Sequence, residues 1–208
     1  MGARGGLAPG GRRGNMRRMS HEPLTLQGPR IRLRPWREED RAAFAAMNAD
    51  AGVMRYFASP LDRAGSDSFM DRINAHQAEH GFSFWAIERH AEPGAIGLCG
   101  LARVPWQERF TPAVEIGWRL ATAHQRQGYA EEAARITLAH GFGPLELPEI
   151  VAFTVADNVR SWGLMERLGM RHDGGFEHPR LPEGHPKRPH MLYRLTRRDW
   201  IDARLGGG

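Results

Sequence analysis

Cysteine is almost missing from this chain. Its 208 residues include one, Cys99, set in an apolar run. No internal disulfide can form, and the sequence reads as that of a protein from a reducing compartment. The ordinary use of such a residue is as a small buried core side chain. Long apolar stretches are missing too. Nothing approaches the roughly 18 consecutive apolar residues that a membrane span requires. Arg and Gly stand at the N-terminus, where a signal peptide would carry its apolar segment. These absences predict a soluble, cytoplasmic protein with no membrane partner. The length suits one domain, with or without a loose tail, and a hydrophobic share of 41% is enough to build a core.

Positive charge is in excess, with a formal net charge of +5. That balance suits a polyanionic partner, but composition alone does not separate nucleic acid from a phosphorylated cofactor. The distribution helps. Arg4, Arg12, Arg13, Arg17 and Arg18 fall in a Gly-rich opening segment with too little apolar surface to fold alone. Residues 1–20 are therefore predicted to be a disordered tail and residues 21–208 a single domain. An unstructured extension with no role explains the tail better than a nucleic-acid-binding arm, so no nucleic acid is expected as a partner.

Ile31-Arg32-Leu33-Arg34 alternates like a half-buried strand and ends at Pro35. Glu38 to Asn48 carries a broad apolar stripe after an acidic first turn, and Ser66 to His80 repeats helical spacing at Phe69, Met70 and Ile73. Phe82 to Glu88 and Ala95 to Ala102 read as a hairpin turning at Glu92-Pro93-Gly94. Ala113 to Leu120 is a strand, Tyr129 to His140 a helix, and Ile150 to Val155 a β-branched inner strand. Ser161 to Leu168 is a helix ended by Gly169, His190 to Leu195 a last strand, and Thr196 with Asp199 caps a C-terminal helix. The order predicts an α/β domain with a mixed sheet covered by helices. Gly94, Gly97 and Gly100 imitate a dinucleotide fingerprint, but no helix can open at Leu101-Ala102-Arg103-Val104-Pro105 to meet a phosphate.

The most informative stretch is Val114-Glu115-Ile116-Gly117-Trp118-Arg119-Leu120, followed by Gln125-Arg126-Gln127-Gly128-Tyr129-Ala130 and an Ala-rich helix. Strand, loop and helix in that order make an anion site, because N–H groups of the loop and first helical turn lack intrahelical partners and the helix dipole favours negative charge. Gly128 lets a pyrophosphate approach the backbone, and Ala130 keeps the next contact small.

Gln125, Gly128 and Ala130 carry the spacing that resembles the signature of the GNAT superfamily of N-acetyltransferases: Gln or Arg, two residues, Gly, one residue, Gly or Ala. Glu149 to Thr154, Asn158 to Ser161 and Glu166-Arg167-Leu168-Gly169-Met170 look like its RimJ/RimL-like branch, and the likeness spans Leu24 to Trp200. The resemblance implies a mixed, mostly antiparallel sheet whose fourth and fifth strands splay, and acetyl-CoA as co-substrate with no metal. The acceptor would be an amine, a protein N-terminus or a small molecule, and the enzyme a monomer or homodimer. It implies cofactor contacts from the backbone of Trp118, Arg119 and Leu120, from the loop Gln125, Arg126, Gln127, Gly128, Tyr129 and Ala130, and from Asn158 and Ser161. A helix-cap role for Asn158 stands beside the cofactor role.

Roughly a tenth of an α-amine with pKa about 7.8 is neutral at pH 7, against less than a thousandth of a lysine near 10.4, so a base has work to do. Glu115 resembles the acidic residue some relatives use there, directly or through water; a solvated strand carboxylate is the alternative. Many members carry a tyrosine acid where this chain has Met165, and the resemblance moves that role to Ser161. The segment Phe176 to His190 reads as a Pro-stiffened loop closing over the acceptor cleft, in which Glu177 touches the substrate amine or lies at the surface. Its histidines invite a zinc reading, but the prolines prevent ligands from converging and no cysteine is near. Trp85, Trp106 and Phe110 fall near where acceptors enter in this family, as core or cleft wall or as readers of the acceptor, and Trp85 is expected to contact the substrate.

Overall fold

The computed structural model describes residues 24–205; the Gly- and Arg-rich tail predicted for residues 1–20 lies outside them. The elements run β1 (Leu26–Gln27), β2 (Ile31–Arg34), α1 (Arg41–Ala49), α2 (Arg63–His80), β3 (Phe84–Arg89), β4 (Glu92–Arg103) and β5 (Val114–Leu120). They continue with α3 (Tyr129–Phe142), β6 (Glu149–Thr154), α4 (Val159–Arg167), β7 (Arg171–Glu177), β8 (Pro189–Thr196) and α5 (Arg197–Leu205). One eight-stranded sheet has the order β1-β2-β3-β4-β5-β6-β8-β7. Every neighbouring pair is antiparallel except β5 and β6. The mixed, mostly antiparallel sheet flanked by helices is the one expected.

Two strands escaped the sequence reading. β1 is two residues long, and β7 carries Arg171, His172 and Asp173 before a Gly174-Gly175 break in register. Neither shows period-two alternation, so each exists only through its partner strand. The predicted turn at Glu92-Pro93-Gly94 is also displaced. The chain reverses at His90 and Ala91, and the three residues enter β4 at an irregular stretch, with Gly94 at φ +117°. Gly97 and Gly100 are needed for close approach within the sheet: a Cβ on Gly100 would lie 2.0 Å from the Ser83 carbonyl oxygen.

Alternation divides the core between the two faces of the sheet. One face buries Ile31, Leu33, Trp85, Leu101, Ile116, Ile150 and Leu195 with the inner sides of α3, α4 and α5. The other face carries two separate clusters. Phe44, Met47, Met70 and Ile73 of α1 and α2 cover Ala86 and Leu98, while Val104, Phe110, Val151, Phe176 and Leu192 pack under no helix. Arg34 is buried in ion pairs with Glu88 and Asp40 that tie β2 and β3 to the entry of α1. The stretch of β5 between the two clusters is left open to build a site.

Candidate active site

β5 and β6 are parallel neighbours joined at one register pair, Glu115 with Val151. Beyond that point the two strands diverge toward their C-terminal ends, and the β6-facing edge of Ile116 to Leu120 has no ladder partner. This is the splay expected of the fourth and fifth strands; β1 shifts their numbers by one. The loop into α3 follows the end of β5, and α4 follows the end of β6, so both helix N-termini serve the open end of the gap.

The α3 loop is built to present N–H groups. Arg126 has φ +62° and Gly128 φ +81°, with Gln127 between them. A non-glycine residue in the left-handed region costs roughly 1–2 kcal/mol, which here curls the backbone into an anion-binding concavity. The helical ladder starts at Glu132 N–H to Gly128 C=O, 3.0 Å. The N–H groups of Tyr129, Ala130 and Glu131 precede it, and those of Arg126, Gln127 and Gly128 donate to no other described residue. Side chains hold the curl. Gln125 Nε2 donates to Leu120 C=O at 3.1 Å, and Gln127 Nε2 to Ala123 C=O at 2.9 Å. Arg30, which sequence reasoning missed, braces it from outside. Its guanidinium donates to Gln127 C=O at 2.9 Å and to Glu132 at 2.7 Å, and it covers the Tyr129 ring at 4.8 Å. An isolated Arg before a strand gives no signal; only the β1–β2 corner brings it to α3.

Asn158 takes the N-cap position of α4, but its side chain does not cap the helix. Nδ2 donates to Thr154 Oγ1 at 2.9 Å, pinning the helix entry to the end of β6, and Oδ1 accepts from no described residue. Ser161 is half-buried in the first turn, and its N–H donates to Asn158 C=O at 2.9 Å. Met165 is in the core at 2% exposure.

Glu115 occupies the vertex of the splay. It is half-buried and accepts no hydrogen bond from a described residue, so burial pushes its carboxyl up to about 8 against the weaker pull of Arg180. It shares its face of β5 with Gly117 and Arg119, while Ile116, Trp118 and Leu120 turn to the α3 side. A Cβ on Gly117 would come within 3.0 Å of the Phe84 ring, so only glycine leaves that ring its place in the floor. Beyond Glu115 stands an aromatic wall: Trp106, Phe153, Phe176, His178 and His190. The two imidazoles are 4.9 Å apart, and Trp106 lies 4.8 Å from His178. Burial holds His178 down at about 4 and also lowers His190, so the wall is neutral at pH 7. Arg180 stacks on Trp106 at 4.8 Å. Lys187 bonds the Phe57 carbonyl, joining the α1–α2 loop to the β7–β8 loop.

Of two residues expected at the substrate, one lies in the core and the other is exposed beside the wall. Trp85 is 1% exposed and packs edge-on against His140 in the α3-side core, because alternation along β3 sends it to that face. Glu177 is an exposed residue paired with Arg188 at 3.2 Å. Its carboxylate also acts on His190 of the wall, opposing the burial that lowers that imidazole. Phe110 is core, whereas Trp106 is half-buried at the wall.

This arrangement has known counterparts. Residues 30–171 match the family model described as the acetyltransferase (GNAT) domain. The chain belongs to the GNAT acetyltransferase family. It is 31% identical over 144 residues to the uncharacterized protein YkkB of Bacillus subtilis, covering 69% of this chain and 83% of that one. It is 26% identical over 172 residues to the uncharacterized N-acetyltransferase YnaD of the same species, covering 82% and 96%. Among solved structures, Mycobacterium smegmatis RimJ in complex with CoA-disulfide superposes with a TM-score of 0.66 at 21% identity, covering 88% of this chain and 95% of that one. GNAT acetyltransferases use acetyl-CoA, and the splay with its N–H-lined loop fits that group. Among the described residues no helix is long and apolar enough to cross a membrane, and no three His, Cys, Asp or Glu side chains gather as a metal requires.

Proposed function

We propose that this GNAT protein is an N-acetyltransferase of RimJ/RimL-like type that acetylates a primary amine, of a protein N-terminus or a small molecule, by direct attack on the thioester. The observation that carries this reading is the position of Glu115. A half-buried carboxylate without a hydrogen-bond partner stands where the two parallel strands part, on the face away from the phosphate loop. When bound, acetyl-CoA supplies the activated acetyl carbonyl. The N–H groups of residues 126–131 hold its pyrophosphate, and the open edge of Trp118, Arg119 and Leu120 bonds the pantetheine arm as a neighbouring strand would. Glu115 Oε takes the proton of the incoming ammonium, directly or through water. Its raised pKa matches it to an amine better than an ordinary carboxylate would be. The neutral aromatic wall keeps water from the amine. Asn158 Oδ1 accepts from the arm, and the Ser161 hydroxyl donates to the departing sulfur.

Thiol release from acetyl-CoA across a panel of amines tests the reading. Turnover is expected with at least one class, and none with any amine would leave a non-catalytic acyl-CoA-binding module. Faster turnover with longer acyl-CoAs would change the donor and keep the site.

Ser161→Ala should lower turnover by about 10-fold or more while acetyl-CoA affinity holds, because the bond to sulfur strengthens as charge develops there. Loss of affinity in proportion to turnover would make Ser161 a binding residue only. Residues 1–20 are dispensable on this reading: their deletion should leave acetyl-CoA affinity and melting temperature unchanged, and a fall of several degrees would place them in the fold. The activity suits a cytoplasmic monomer or homodimer, where acetyl-CoA is made.

A further inference from the structure

We propose that Arg119 recognises an anionic group on the acceptor, so that the substrate is an amine carrying a carboxylate several bonds away. The proposal rests on the acetyltransferase reading above and names the acceptor class for the same cleft.

Arg119 is a half-buried cation of this face that lacks a counter-charge among the described residues. Arg34 and Arg32, further along the same face, are neutralised by Glu88, and Arg34 by Asp40 as well. Arg119 instead donates to Asn48 Oδ1, a neutral acceptor, and lies between two rings, Phe57 at 4.1 Å and Phe69 at 5.8 Å from its guanidinium carbon. Its Nε is buried and has no acceptor among the described residues. Burial uncompensated by any carboxylate pulls its pKa down to about 10. A cation held this way is costly to the fold and becomes favourable when an anion arrives to complete its fork.

The cofactor's phosphates are poorly placed to be that anion. Their loop opens α3, which covers the opposite face of β5, where Ile116, Trp118 and Leu120 pack. The Arg119 side chain shares its face with Glu115 and the aromatic wall. Two more cations at this cleft, Arg180 over Trp106 and Lys187 at the Phe57 carbonyl, also form no ion pair with a described carboxylate. Arg119, Arg180 and Lys187 thus stand on the acceptor side with Glu115, and Glu177, which acts on His190, is already paired with Arg188. Glu115 and Arg119 are four positions apart along the strand, about 13 Å between α-carbons. That separation suits an ω-amino acid or short peptide over a molecule with amine and carboxylate on one carbon.

The test uses matched pairs that differ only in the anion: 6-aminohexanoate against its amide, and glycylglycine against glycylglycinamide. Thiol release is followed with saturating acetyl-CoA. Wild type should favour the acid of each pair by about 10–100-fold in kcat/KM, the range of a charge-assisted bond. Arg119→Met should reduce that preference to within about three-fold, and Arg119→Lys should restore part of it, having charge but no fork. Acetyl-CoA affinity, measured by calorimetry, should stay within about three-fold in both variants, because Arg119 meets the pantetheine arm through its backbone, which neither substitution changes. Amides turned over as well as acids by wild type would overturn the proposal and leave the acetyltransferase reading standing, whether or not Arg119→Met folds. A preference that survives in Arg119→Met, or a large loss of acetyl-CoA affinity there, would also overturn it. No turnover with any member of either pair overturns the proposal, and the wider amine panel then decides the acetyltransferase reading separately.

Discussion

Glu115→Gln should lower turnover at pH 7 by about 10²–10³-fold, the scale of general-base catalysis, with acetyl-CoA affinity unchanged. Burial sets the carboxyl near 8, so at neutral pH a minority is ionised and active. Wild-type kcat/KM should therefore climb with pH through about 8. The glutamine variant should lose that limb and recover only as pH approaches the pKa of the amine, where solvent supplies the neutral nucleophile. Stability should move the other way. A carboxyl whose folded pKa is raised contributes fully below its unfolded value of about 4.3, and that contribution is lost as pH rises through about 8. At pH 8 the ionised group costs the fold about 2–4 kcal/mol after allowance for its contact with water, a cost that glutamine does not carry. Glu115→Gln should then melt about 5–10 °C above wild type at pH 8, the gap closing near pH 4. Coincident melting curves at pH 8 together with full activity at pH 7 would return Glu115 to an ordinary solvated strand residue.

Gly128→Asp should remove measurable acetyl-CoA binding, and two independent features of the loop lead there. At φ +81° any side chain is strained, and a Cβ would sit 3.1 Å from the Arg30 guanidinium. The added carboxylate would then pair with Arg30 and stand where the pyrophosphate meets the N–H groups of residues 126–131, repelling it. Gly128→Ala separates the two effects: strain alone costs roughly 1–2 kcal/mol, so alanine should weaken affinity by about 10-fold where aspartate abolishes it. Calorimetric titration of both variants decides it. Unchanged affinity in Gly128→Asp would move the phosphates away from this loop.

The strand, loop and helix proposed to hold the cofactor were legible in the chain because they are local. Gln125, Gly128 and Ala130 are spaced by one turn of backbone, the strand that precedes them alternates, and the helix that follows is periodic; within such a segment, sequence distance and spatial distance are nearly the same. The mixed sheet was legible for the same reason, since strands of four to eight residues announce themselves by alternation. Its edge strands did not. Arg171 to Glu177 becomes β7 only because β8 lends it a ladder, and its glycine break hides the period.

The acceptor side had to wait for the tertiary structure. Alternation says that neighbours on a strand face opposite ways, but not which way is the cleft; that depends on what covers each face. Once β3 is placed, Trp85 goes to the core, although the sequence reading put it at the substrate, and β7 leaves Glu177 exposed and paired with Arg188. Arg119 reads in the sequence as one more backbone donor to the cofactor arm; the structure adds a side chain set between Phe57 and Phe69 without a carboxylate. Arg30 and Gly128 are far apart in the chain and meet only through the β1–β2 corner. The sequence by itself determined the fold class and the curled loop before α3 that is proposed to hold phosphate, which rest on contacts among near neighbours. Which side chains share a cleft, and which charges there lack a partner, were decided by long-range packing that sets strand register and face.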